Sequence, residues 1–169
     1  MAKKVIWGMV FILLAAMLQS TVLSRLGVII HAVPDIALII LVYISYVNGT
    51  MTGQLTGFFS GFMLDFLSSA PLGLNALIRT LIGALTGLLK GTFFLDFVIL
   101  PLALCAGATV LKALVYFLLH LLLSGSVPSY SVFGINFWVE IGLNTILAPF
   151  IFGFLKLFEP LLAKQSEDA

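Results

Sequence analysis

Six long apolar runs, separated only by short polar connections, constrain this chain more than any other feature. They are Val5–Leu23, Pro34–Val47, Gly53–Leu67, Leu74–Leu89, Phe97–Leu123 and Phe133–Phe158. A helix that crosses a hydrocarbon core of about 30 Å needs about 20 apolar residues. The predicted fold is therefore all-α: a polytopic integral membrane protein of about six transmembrane helices, with the whole chain, 1–169, forming a single transmembrane domain. The second and third runs are short, so the bilayer is expected to thin around them or their tilt to be small. The fifth carries Pro101 one turn in, where a kink is expected. The connections Asn48-Gly49-Thr50, Ser68-Ser69-Ala70-Pro71 and Ser124-Gly125-Ser126-Val127-Pro128-Ser129 are too short for a soluble domain.

Composition agrees. The chain is 62% hydrophobic and 9% charged, against about 25% charged residues in a soluble domain. A mean hydropathy of +1.22 leaves too little polar surface to cover a water-soluble globule. The 8 Lys and Arg nearly cancel the 7 Asp and Glu, which argues against nucleic acid as a partner, since that requires a basic field. Cys105 is the single cysteine and lies in an apolar run; it reads as a small packing residue. Lys3 and Lys4 before Val5–Leu18 resemble the start of a signal peptide. The apolar run continues to Leu23 with no Ala-x-Ala after it, so an uncleaved first span is expected.

Orientation follows from the basic residues. With the N-terminus in the cytoplasm, Lys3, Lys4, Lys90, Lys156 and Lys164 all lie on the inner side, and only Arg25 falls in an outer loop. Both termini are therefore expected to be cytoplasmic.

Small residues recur every four positions in two runs. Gly53, Gly57 and Gly61 lie on one face of the third, and Gly83, Gly87 and Gly91 on one face of the fourth. Such stripes let helix backbones approach closely. They are expected to pack helices within the chain, with a dimer or partner groove as the alternative.

Four ionisable residues fall within the runs: Asp65, Arg79, Lys112 and Glu140. Each would cost about 2.5–3.5 kcal/mol at a helix centre on insertion scales, so partners are expected. At a rise of about 1.5 Å per residue, all four lie in the outer half, within roughly two to three turns of the surface. One buried polar cluster is expected, with Asp65–Arg79 and Lys112–Glu140 as its simplest pairings. Pro34-Asp35 opens the second run, where proline suits the first turn and an acid meets the positive end of the helix dipole. A cap is the expected role of Asp35.

No catalytic constellation is present. There is no His-Glu-x-x-His and no Gly-rich phosphate loop followed by Lys-Ser or Lys-Thr. A Gly-x-Ser-Gly of the rhomboid kind would need glycine where Phe58 stands. His31 and His120 are read as interfacial side chains reaching toward water, not as metal ligands. Neither an enzyme, nor a metal, nor a cofactor is expected.

Four segments resemble one known family in order and spacing: Gln19-Ser20-Thr21-Val22-Leu23; Val33-Pro34-Asp35; Gly57-Phe58-Phe59-Ser60-Gly61-Phe62-Met63-Leu64-Asp65; and Pro71-Leu72-Gly73-Leu74-Asn75-Ala76. The chain is similar to MreD, the rod-shape-determining membrane proteins, with Pro34, Asp35, Asp65, Pro71, Gly73 and Asn75 as the matching motif residues. One departure is Asn48-Gly49-Thr50, where many relatives carry a basic residue. The resemblance implies a non-enzymatic scaffold in the bacterial inner (cytoplasmic) membrane. It would anchor MreC and link MreB filaments to peptidoglycan synthesis by a RodA-type glycan polymerase and its penicillin-binding transpeptidase, keeping the cell rod-shaped. Lipid surrounds such a protein, and a homodimer is an open alternative. The family is also distantly similar to the substrate-binding subunits of energy-coupling-factor transporters. That leaves a small-molecule-binding membrane subunit as the second reading.

Overall fold

The structure, a computed structural model, describes residues 2–19, 33–67, 71–92, 98–123 and 134–162. Arg25, His31, Lys164, the Lys3 and Lys4 side chains and the 124–129 connection lie outside the described residues, so the orientation expected from the lysines does too. The described elements are all helices: α1 Ala2–Leu18, α2 Ile36–Asn48, α3 Thr50–Leu67, α4 Leu74–Leu88, α5 Ile99–Leu122, α6 Ile135–Lys156 and the short α7 Glu159–Leu162.

α2 is the axis of the fold. Its sequence, Ile-Ala-Leu-Ile-Ile-Leu-Val-Tyr-Ile-Ser-Tyr-Val-Asn, is apolar on every side, and a helix of that kind belongs inside. Every residue from Ala37 to Tyr46 is buried, and α2 packs against α1, α3, α4, α5 and α6. With 13 residues α2 is too short to span a bilayer. Because protein surrounds it, lipid need not thin to meet it. Its start is fixed by the Asp35 carboxylate, which accepts the Leu38 N–H at 3.0 Å as an N-cap. Its end is fixed by Gly49, whose φ of +94° lets the chain turn into α3 in a single residue. The connection expected over Asn48-Gly49-Thr50 thus shrinks to Gly49. Asn48 Nδ2 donates to Leu162 O at 2.6 Å and ties α7 beneath α2.

α3 and α4 form the closest helix pair, antiparallel, and glycine explains how. A Cβ on Gly53 would overlap the Gly83 carbonyl, one on Gly57 the Arg79 carbonyl, and one on Gly61 the Asn75 carbonyl. From α4, Gly83 meets the Gly53 carbonyl, and Gly87 lies against Thr50 and Gly49. Gly91 departs from the expectation. Among the described residues nothing lies within 4 Å of where its Cβ would be, and its φ is +74°. α4 ends at Leu88, so the four-residue pattern outlasts the helix, and Gly91 serves a turn rather than a helix contact.

α3 is inverted relative to a helix in a water-soluble protein. It buries Thr52, Gly53, Thr56, Gly57, Ser60, Gly61 and Asp65. It turns Met51, Phe58, Phe59, Phe62, Met63, Phe66 and Leu67 outward. Water would penalise that surface, while lipid is its natural solvent, and small residues inside permit close packing. Among the described residues, α5 and α6 are the two helices both long and apolar enough to cross a membrane on length and composition. Pro101 is the third residue of α5. There its missing N–H is one that would lack a helical acceptor anyway, so the expected kink has no cause. Pro149, not singled out from the sequence, lies inside α6, where one backbone hydrogen bond is lost.

Candidate functional site: a buried charge cluster

The helix arrangement brings Asp35, Arg79, Lys112 and Glu140 together from α4, α5, α6 and the start of α2. Arg79 Nη2 donates to Asp35 Oδ1 at 2.9 Å. Lys112 Nζ donates to Asp35 Oδ2 at 2.8 Å and to Glu140 Oε1 at 2.7 Å. Asp35, Arg79 and Glu140 are buried, and the Lys112 side chain is 16% exposed. Two carboxylates and two cations balance, which suits charges with little water to solvate them.

A polar shell holds these groups. The Asp35 N–H donates to Asn144 Oδ1 at 2.7 Å, and Asn144 Nδ2 donates to Thr109 Oγ1 at 3.1 Å. Asn144 and Thr109 are fully buried. Thr109, Lys112 and Tyr116 recur on one face of α5, and Glu140 and Asn144, four apart, on one face of α6. The α5–α6 pair is therefore zipped by polar contacts at matching depth. Arg79 Nη1 is buried with no hydrogen-bond partner among the described residues.

The expected Asp65–Arg79 pair does not form. Asp65 instead caps α4 from a distance. Its carboxylate accepts the Gly73 N–H at 2.9 Å, the Asn75 N–H and Asn75 Nδ2 at 2.9 Å each, and the Ala76 N–H at 3.3 Å. Those backbone groups lie at the start of α4, where intrahelical acceptors are lacking. The N-cap residue itself is Gly73, which has no side chain to do the work and sits at φ +93°. The motif residues Asp65, Gly73 and Asn75 thus form one turn lock, with Pro71 O accepting the Leu74 N–H at 3.1 Å. Asn75 Oδ1 in turn accepts from Tyr116 Oη at 3.3 Å, which joins the lock to α5.

Asp35 is a cap, as its position suggests, and also the hub of the cluster, which its position alone does not reveal. Asn144, Thr109 and Tyr116 were missed from the sequence. The available signal was their spacing from Glu140 and Lys112 on shared helix faces. Among the described residues no group of three His, Cys, Asp or Glu is placed to hold a metal ion.

An all-α chain that buries glycine and balanced charge while turning phenylalanine and leucine outward has the build of a membrane protein. A family model described as rod shape-determining protein MreD matches residues 1–158, and the chain belongs to that family. Membership places it among membrane proteins that determine rod shape. No curated protein and no solved structure matched the chain.

Proposed function

We propose that the protein is a non-enzymatic scaffold of the bacterial cell-elongation machinery. It sits in the inner membrane as a six-span domain with both termini in the cytoplasm. It anchors MreC and couples MreB filaments to peptidoglycan synthesis by a RodA-type polymerase and its transpeptidase partner. The observation that carries this reading is the family match over residues 1–158. The geometry lends support: Asp35, Arg79, Lys112 and Glu140 bond to one another across four parts of the bundle, an arrangement that holds helices in register. Depletion in a rod-shaped host with no second copy tests it. The expected result is rounded cells, together with co-purification of MreC with the tagged protein. Unaltered rod shape after complete depletion overturns the reading.

One observation favours the second reading, a small-molecule-binding subunit of an energy-coupling-factor-type transporter. Arg79 Nη1 is a buried donor without a partner among the described residues, the kind of group a ligand would satisfy. Co-purification with an ATPase cassette in place of MreC is the result that would select it.

A further inference from the structure

The end of the bundle opposite the charge cluster holds a pocket of about 240 Å³. Its body is walled by Tyr43, Pro101 and Phe152, with the Tyr43 and Phe152 rings edge to face at 5.1 Å. Lys90, Lys156 and Glu159 also line it, and all three are exposed, which puts them at its mouth. Gly91 lies beside Lys90 on the wall, at a left-handed φ of +74°.

We propose that this pocket binds the headgroup of a monoanionic phospholipid, with the start of one acyl chain in its apolar body. Three features of the site point to that occupant. Among the described residues the mouth carries two ammonium groups and one carboxylate, a net charge of +1, which complements a headgroup of net charge −1. The interior is aromatic and aliphatic, which suits hydrocarbon and not a free ion. Lys156 closes α6, where a cation is favoured by the helix dipole, and Lys90 lies two residues past the end of α4; basic pockets between membrane helices of this kind meet lipid phosphates. The volume holds a headgroup and the first part of a chain, not a whole lipid.

The test uses the purified full-length protein in detergent, titrated with phosphatidylglycerol or phosphatidylethanolamine and read by native mass spectrometry. Phosphatidylglycerol should be retained on the order of tenfold more tightly, and the Lys90→Ala/Lys156→Ala double variant should lose that preference. Its thermal unfolding in lipid-free detergent should match the parent, since both lysines are exposed. Glu159→Gln should tighten binding of phosphatidylglycerol. Equal retention of the two lipids by the parent protein would overturn the proposal, as would a preference that survives in the double variant. Displacement of the lipid by millimolar inorganic phosphate would also overturn it, because the site would then recognise a soluble anion. If the double variant fails to fold, the lipid comparison on the parent protein decides alone.

Discussion

Arg79 reaches from α4 to Asp35 at the mouth of α2, with Nη2 2.9 Å from Oδ1, and leaves Asp65 on the neighbouring helix to another task. The two carboxylates that precede this arginine in sequence, Asp35 and Asp65, therefore do different work. Asp35 neutralises cations, and Asp65 satisfies a helix end.

Asp35 should be the most sensitive position of the cluster. Asp35→Asn takes from Arg79 the carboxylate it pairs with and from Lys112 one of its two, and stranding buried charge costs about 3–5 kcal/mol. Glu140→Gln should cost less, because Lys112 keeps Asp35. Unfolding in detergent, followed by circular dichroism, should rank Asp35→Asn well below Glu140→Gln. The reverse order would mean that Glu140 is the principal partner of Lys112.

Coupling within the cluster should be non-additive. Lys112→Met and Glu140→Gln together should cost less than the sum of the two singles, with a coupling of about 0.5–3 kcal/mol expected for residues in contact. Strict additivity in a double-mutant cycle would separate the pair.

The remote cap gives a local signature. Asp65→Ala leaves the Gly73, Asn75 and Ala76 amides without their acceptor, a loss of about 0.5–2 kcal/mol on the scale of ordinary N-caps. Hydrogen exchange should accelerate at Asn75 and Ala76 before it does in α2. Uniform acceleration across the chain would show that Asp65 supports the whole fold instead.

Glycine substitutions should divide sharply. Gly57→Leu forces a side chain into the Arg79 backbone and should abolish most of the folded yield. Gly142→Ala meets nothing within 4 Å among the described residues and should be neutral or stabilising by up to about 1 kcal/mol, since alanine is the better helix former. Equal yields of the two variants would show that α3 and α4 do not touch.

Topology can be read independently. A reporter active only in the periplasm, fused after Ala169, should give no signal if both termini are cytoplasmic, the orientation that the lysine bias favours. A strong signal would place the C-terminus outside.

Part of this arrangement was readable from the residues, and the physical reason for the limit is plain. Helix rise converts sequence position into depth, and Lys112 and Glu140, paired on depth, lie 2.7 Å apart. Depth does not give the direction in which a helix faces. Asp65 and Arg79 share a depth but project to different neighbours, and the centrality of Asp35 depends on α2 being enclosed on all sides. Glycine spacing found the α3–α4 seam because a four-residue period is itself a direction. It misassigned Gly91 because periodicity does not mark where a helix stops.

The balance of the cluster has an electrical consequence. A charge that moves across a membrane potential exchanges about 2.3 kcal/mol per 100 mV. Asp35 and Glu140 offset Arg79 and Lys112, so the potential pulls on the four as a group with no net force, and an energised and a de-energised membrane should hold the same fold. Neutralising Glu140 alone would end that indifference. The cluster would then carry one uncompensated positive charge inside the field, and its stability would begin to follow the voltage.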